Sequence, residues 1–142
     1  MSDDLYREHI LDHYAHPRHW GRLEAPDIVA DADDPSCGDQ VHLELGLDAA
    51  GRVERVAFEG EGCMISMASA SILAEHIEGK SLQELASLTE DDVLALVNAP
   101  VGPNRRRCAL LPWQVLRSGL DKLATRPTSF EQRPPPSLDK AG

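Results

Sequence analysis

The stretch Gln40-Val41-His42-Leu43-Glu44-Leu45-Gly46-Leu47, followed by Asp48-Ala49-Ala50-Gly51 and then Arg52-Val53-Glu54-Arg55-Val56-Ala57-Phe58, decides the fold. Val41, Leu43, Leu45 and Leu47 alternate with polar or small residues. That period of two turns one side of an extended strand to a core and the other to water. Asp48 to Gly51 reads as a hairpin loop, with a glycine available for a left-handed turn position. Val53, Val56 and Phe58 make residues 52 to 58 the returning strand. Asp27 to Ala32 reads as a third strand beside them. The result is an antiparallel meander, not a set of strand–helix–strand crossovers.

The flanking segments read as helices. Residues 3 to about 15 carry Leu5, Ile10, Leu11 and Tyr14 as an apolar stripe, with Asp3 and Asp4 favouring the N-terminal end. Pro17 ends this segment. His9 and His13 are four apart on one face of it, and with no third ligand nearby they are expected to be solvated surface histidines. From Met64 to about Glu78 the pattern is again helical, with Ile65, Ala68, Ile72 and Leu73 on one face. Ser66, Ser69, Ala70 and Ser71 keep that helix slim enough for close packing. Short helices are expected at 81–87 and 89–98, because Ser81 to Glu84 and Thr89 to Asp92 have capping-box spacing. Gly102 and Pro103 read as a break, and a last helix is expected from Ala109 to Ala124 with Pro112 in its first turn. The expected fold class is therefore α+β: a small antiparallel sheet of about three strands with helices packed on it.

At 142 residues the chain suits a single domain, expected over 1–125, with 126–142 as a disordered tail rich in proline. The net charge of −10 argues against general nucleic-acid binding, which rests on cationic contacts to phosphate. No apolar run is long enough to span a bilayer. The acidic start Met1-Ser2-Asp3-Asp4 does not read as a secretory signal. An odd number of cysteines without an export signal fits reduced thiols in a cytoplasm.

The chemistry-bearing residues are the three cysteines. Cys37 lies in Pro35-Ser36-Cys37-Gly38-Asp39-Gln40, Cys63 ends Glu59-Gly60-Glu61-Gly62-Cys63, and Cys108 follows Arg105-Arg106-Arg107. Gly38 lets the chain bend so that Cys37 and Asp39 approach one point. Cys63 and Cys108 are expected at helix starts, where backbone N–H groups favour a thiolate. Three thiolates and the Asp39 carboxylate suit a tetrahedral zinc or an iron–sulfur cluster, and the spacing leaves both open. Arg105 and Arg107 are candidates to offset the negative charge from behind. Isolated cysteines without a C-x-x-C pair are ordinarily buried small hydrophobes, so spacing alone does not decide. Neither His42 nor His76 lies in a motif that would make it the base of a thiol hydrolase.

The surrounding residues decide more. Tyr6-Arg7-Glu8-His9-Ile10-Leu11-Asp12-His13-Tyr14 with Pro17-Arg18, then Pro35 to Gln40, then Gly60-Glu61-Gly62-Cys63-Met64-Ile65-Ser66, then Arg107-Cys108-Ala109-Leu110-Leu111-Pro112-Trp113 resemble the U-type iron–sulfur cluster assembly family. That family comprises IscU, SufU and the N-terminal part of NifU, and the resemblance implies a SufE/NifU-like α+β fold. It further implies a site made of Cys37, Asp39, Cys63 and Cys108. SufU-like members are similar in the basic residues before the last cysteine, although they carry an insertion between the second and third cysteines that the 45-residue spacing here lacks. IscU-like members carry a histidine before the last cysteine, where this chain has Arg107, and a Leu-Pro-Pro-Val-Lys segment upstream, where it has Ala99 to Pro103.

The SufU resemblance implies a resting Zn²⁺ and Cys37 as acceptor of persulfide sulfur from a SufS-like cysteine desulfurase. Sulfur would then pass to a cluster scaffold or to apo iron–sulfur proteins. This is sulfurtransferase-type carrier chemistry and not turnover by the chain alone. The IscU resemblance implies instead a scaffold for a transient [2Fe–2S] cluster. A structural zinc domain for protein contacts is the rival from another class.

Overall fold

A computed structural model describes residues 3–35, 38–98 and 102–125. The expected meander is present: β1 (Ile28–Asp34), β2 (Asp39–Leu47) and β3 (Val53–Glu61) form one antiparallel sheet in the order β1-β2-β3. The register pairs Asp34 with Asp39, Leu43 with Phe58, and Gln40 with Glu61. Both β1 and β3 run further than the sequence pattern indicates, and the extra residues carry no apolar alternation. They extend because the β2 backbone remains available to pair with them. This extension brings Glu61, and with it Cys63, alongside the start of β2.

The described residues also form five helices: α1 (Asp3–Ala15), α2 (Met64–Ile77), α3 (Leu82–Ala86), α4 (Glu90–Val97) and α5 (Pro103–Thr125). The sheet buries Ile28, Ala30, Val41, Leu43, Leu45, Val56 and Phe58 against α2 and α5. Leu45 and Phe58 are fully enclosed. Truncating either to alanine would cost on the order of 2–5 kcal/mol, by lost transfer energy plus the cavity left behind. Both capping boxes form, Ser81 with Glu84 and Thr89 with Asp92. The slim face of α2 is used as expected. Ser66, Ser69 and Ser71 are fully buried, and the Ser69 hydroxyl donates to the Ala109 carbonyl of α5 at 2.6 Å.

Three expectations are corrected. The last helix starts at Pro103, not at Ala109, so Pro112 lies in its interior and Cys108 is its sixth residue. Gly102-Pro103 is a helix start: proline at the first helical position loses only an N–H that would be unpaired anyway. Arg106 N–H bonds back to the Gly102 carbonyl at 2.8 Å and closes that first turn. Second, His13 is not solvated. It is buried, with Nδ1 2.8 Å from the Ser71 hydroxyl, which also accepts the Arg18 amide. Third, this contact sets the inward face of α1 along Ile10 and His13, so Leu11 and Tyr14 remain exposed. The proposed tail lies outside the described residues.

Candidate metal centre

Asp39, Cys63 and Cys108 reach one point from three different elements. Asp39 opens β2 with its side chain on the buried face. Cys63 is the N-cap of α2, in extended conformation (φ −73°, ψ 169°), and its side chain makes no capping bond. Cys108 points inward from the second turn of α5 and is buried. One donor atom from each of the three lies within 4.8 Å of the others. Donors on a tetrahedral zinc sit about 3.8 Å apart for Zn–S bonds of about 2.3 Å, so these side chains need close by only about 1 Å to ligate.

The hydrogen bonding shows an incomplete site. The Cys63 amide donates to Asp39 Oδ1 at 3.2 Å, which fixes the carboxylate at the foot of α2. The other oxygen, Oδ2, is buried and has no hydrogen-bond partner among the described residues. An unpaired buried carboxylate oxygen costs several kcal/mol, of the order of 1–3 or more, unless a cation takes it. Burial, and then the adjacent Cys63 sulfur and Asp39 carboxylate, push the Cys108 thiol up to about 12. Negative groups are thus gathered in a place that disfavours them, which is the condition a bound cation reverses. The residues present fit a zinc-type ion.

Gly62 makes the approach of β2 and α2 feasible. A Cβ there would stand 2.5 Å from the Ser66 hydroxyl and 2.8 Å from Asp39 Cγ. Ser66 in turn donates to the Cys63 carbonyl at 3.1 Å and lies 3.8 Å from Cys63 Sγ. Nothing in composition or spacing singles out Ser66. The serine three residues after an N-cap cysteine is the one signal that could have done so.

The fourth sequence candidate, Cys37, lies outside the described residues. Its setting is described on both sides. Gly38 has φ +78°, a left-handed position that suits glycine, and its amide bonds to the Asp34 carbonyl at 2.7 Å. The arginines divide. Arg107 reaches Asp34 with bonds of 2.8 and 3.0 Å, tying α5 to the end of β1. Arg106 pairs with Glu90 at 3.4 Å. Arg105 is exposed and pairs with no carboxylate among the described residues. Arg107 thus joins α5 to the end of β1, next in the chain to the candidate Cys37.

A second ionisable cluster lies on the opposite face of the sheet. His42 Nδ1 is 2.6 Å from Asp31, and its Nε2 is 2.7 Å from the buried Glu44. Glu44 also accepts the Leu23 amide at 2.7 Å. Burial opposes a charged His42 ring, and the bonds to Glu44 and Asp31 overcome it, raising its pKa above the ordinary value. Both ring nitrogens of His42 and both carboxylate oxygens of Glu44 are thus paired within the protein.

Comparison with known proteins follows the same lines. The family model described as the NifU-like N terminal domain matches residues 5–129. The chain belongs to that family. It is 39% identical to the zinc-dependent sulfurtransferase SufU of Bacillus subtilis, covering 84% of this chain and 92% of that protein. It is 31% identical to the iron–sulfur cluster assembly scaffold protein IscU of Thermotoga maritima, covering 84% of this chain and 95% of that protein. The crystal structure of FiSufU from Fervidobacterium islandicum superposes with a TM-score of 0.69 at 30% identity, covering 84% of this chain and 99% of that one. The three-stranded antiparallel sheet with helices, and its superposition on that crystal structure, bear out the fold class. No helix among the described residues is long and apolar enough to cross a membrane.

Proposed function

We propose that this protein carries sulfur for iron–sulfur cluster assembly, accepting it on Cys37 from a cysteine desulfurase, with zinc held at rest by Cys37, Asp39, Cys63 and Cys108. The observation that carries this reading is the partnerless, buried Oδ2 of Asp39 beside the sulfurs of Cys63 and Cys108. Zinc, when bound, supplies the positive charge that keeps these sulfurs as thiolates at neutral pH. Similarity to a zinc-dependent sulfurtransferase supports zinc as the resting ion.

The residues divide the work by where they are built. Cys63 caps α2 and Cys108 is buried within α5, so both are anchors. Cys37 lies in the sequence between the end of β1 and the left-handed Gly38, and we take it as the ligand that leaves. In the transfer, the Cys37 thiolate attacks the outer sulfur of the donor's persulfide. A new S–S bond forms on Cys37, the donor's S–S bond breaks, and the donor cysteine leaves as a thiolate. Sulfur then passes to a cluster scaffold or an apo-protein in the reducing cytoplasm, where such thiols persist.

The test pairs metal analysis of protein purified without added metal with intact-mass detection after incubation with a desulfurase and cysteine. One zinc per chain and a gain of one sulfur atom, lost in Cys37→Ser, are expected. Acceptance at the wild-type rate by Cys37→Ser would sink the assignment. Similarity to IscU scaffolds favours a second reading, in which the same donors hold a [2Fe–2S] cluster as cargo. Anaerobic reconstitution would then give a chromophore that moves to an apo-acceptor. Chelation that unfolds the chain, with no thiol gaining sulfur, would favour a structural zinc domain.

A further inference from the structure

The outer edge of β3 is used at one residue and open at another. Phe58 bonds outward through both backbone groups, its amide to the His19 carbonyl and its carbonyl to the Gly21 amide, each at 2.9 Å. In an antiparallel ladder these groups alternate direction residue by residue, so two positions on, Gly60 also presents its N–H and C=O outward. No backbone partner meets Gly60 on that side among the described residues. An open strand edge is a ready template for an added strand.

This edge lies in a hollow of about 600 Å³ whose walls include Tyr14, Pro17, Trp20 and Met67. Trp20 is 50% exposed and Tyr14 46%, unusual for residues of their size. Trp20 is held in place by an edge-to-face contact with Phe58, the ring centroids 5.3 Å apart. Position 60 must stay glycine for its own reason: a Cβ there would run into the Gln40 carbonyl, so the strand presents bare backbone at that point. The strip ends at Gly62, against Asp39 and next to Cys63. Exposed Glu61 also lines the hollow.

We propose that this strip is where the sulfur donor docks. An extended, cysteine-bearing segment of the desulfurase adds to β3 at Gly60, seated between Trp20 and Tyr14, with a basic residue facing Glu61. The continuity from Gly60 to Cys63 selects this occupant: a segment running along the edge delivers its tip to the sulfurs. Backbone pairing supplies affinity and the aromatic walls supply the anchor. The inference rests on the sulfur-acceptor reading of Cys37.

The test uses the zinc-loaded full chain with a cysteine desulfurase. Hydrogen exchange at Gly60 is expected to slow when the desulfurase is added, while amides on the far edge, at Val29 and Asp31, keep their rates. Trp20→Ala should raise the KM for this protein in the desulfurase reaction roughly tenfold, with kcat at saturation within about twofold and zinc content unchanged. Tyr14→Ala, on an exposed helix position, gives a smaller rise and remains informative should Trp20→Ala fold poorly. Sulfur acceptance at Cys37 with unprotected Gly60 and wild-type KM in both variants would overturn the docking strip alone. Failure of Cys37 to accept sulfur while Gly60 is protected would overturn the carrier reading and leave the strip standing.

Discussion

The two faces of the sheet each carry a cluster of ionisable groups, and they treat them in opposite ways. On the outer face, His42, Asp31 and Glu44 close on one another with bonds of 2.6 and 2.7 Å, and Arg22 adds a partner 3.7 Å from Glu44. At the end of the inner face, Asp39 keeps one oxygen without a partner, and the Cys108 thiol is pushed up to about 12 by burial and by its neighbours. A closed cluster stabilises the fold. An open one, held by three separate elements, is a place where something must bind. The contrast matters because composition would rank the outer cluster, with its histidine and two carboxylates, as the better metal site.

The largest expected effect breaks the inner site. Cys63→Ala should lower bound zinc from about one per chain to less than about a tenth, and abolish the zinc-dependent rise in thermal midpoint, as metal analysis and melting with and without chelator would show. If zinc survives, the inner site is not the metal centre. Next, Glu44→Ala should destabilise the fold by about 3 kcal/mol, since it leaves His42 half-buried and short of a partner, while zinc content stays at the wild-type level. Loss of zinc in this variant would mean that the two faces are coupled.

Gly62→Ala should act in between, weakening zinc binding by about tenfold through displacement of Asp39 and Ser66, without altering the outer cluster. The pH dependence sharpens the other side. His42 has a raised pKa in the folded chain, so its contribution is fully present below its ordinary value of 6.5 and is lost as pH rises through the folded value. Glu44 is lowered: burial pushes it up, but the His42 and Leu23 bonds prevail, so its contribution is present above 4.5 and is lost on acidification. Urea midpoints should therefore fall more steeply above pH 6.5 in the wild type than in His42→Gln. The smallest effect belongs to Arg107→Ala. Its guanidinium is largely exposed, so losing the Asp34 pair should cost less than about 1 kcal/mol and leave zinc content intact.

The hairpin from Gln40 to Phe58 was legible because period-two alternation and a glycine turn are local signals. Both capping boxes were legible for the same reason. The start of α5 was not: Gly102-Pro103 is at once a break and a favourable helix opening, and only packing against the sheet and α4 distinguishes the two. His13 was misread because its partner Ser71 is 58 residues away. Arg107 could be placed near Cys108 by sequence, but its pairing with Asp34 depends on how α5 crosses the end of β1.

The sequence by itself determined the sheet, most helices, the family, and the donors Asp39, Cys63 and Cys108, since each of these rests on local pattern or on motif residues. Tertiary structure alone decided that these donors converge within 4.8 Å, that one Asp39 oxygen stays unpartnered, and that the His42 cluster is closed. The reason is physical: period and capping are properties of neighbours along the chain, whereas satisfaction of a buried charge depends on which groups folding brings around it.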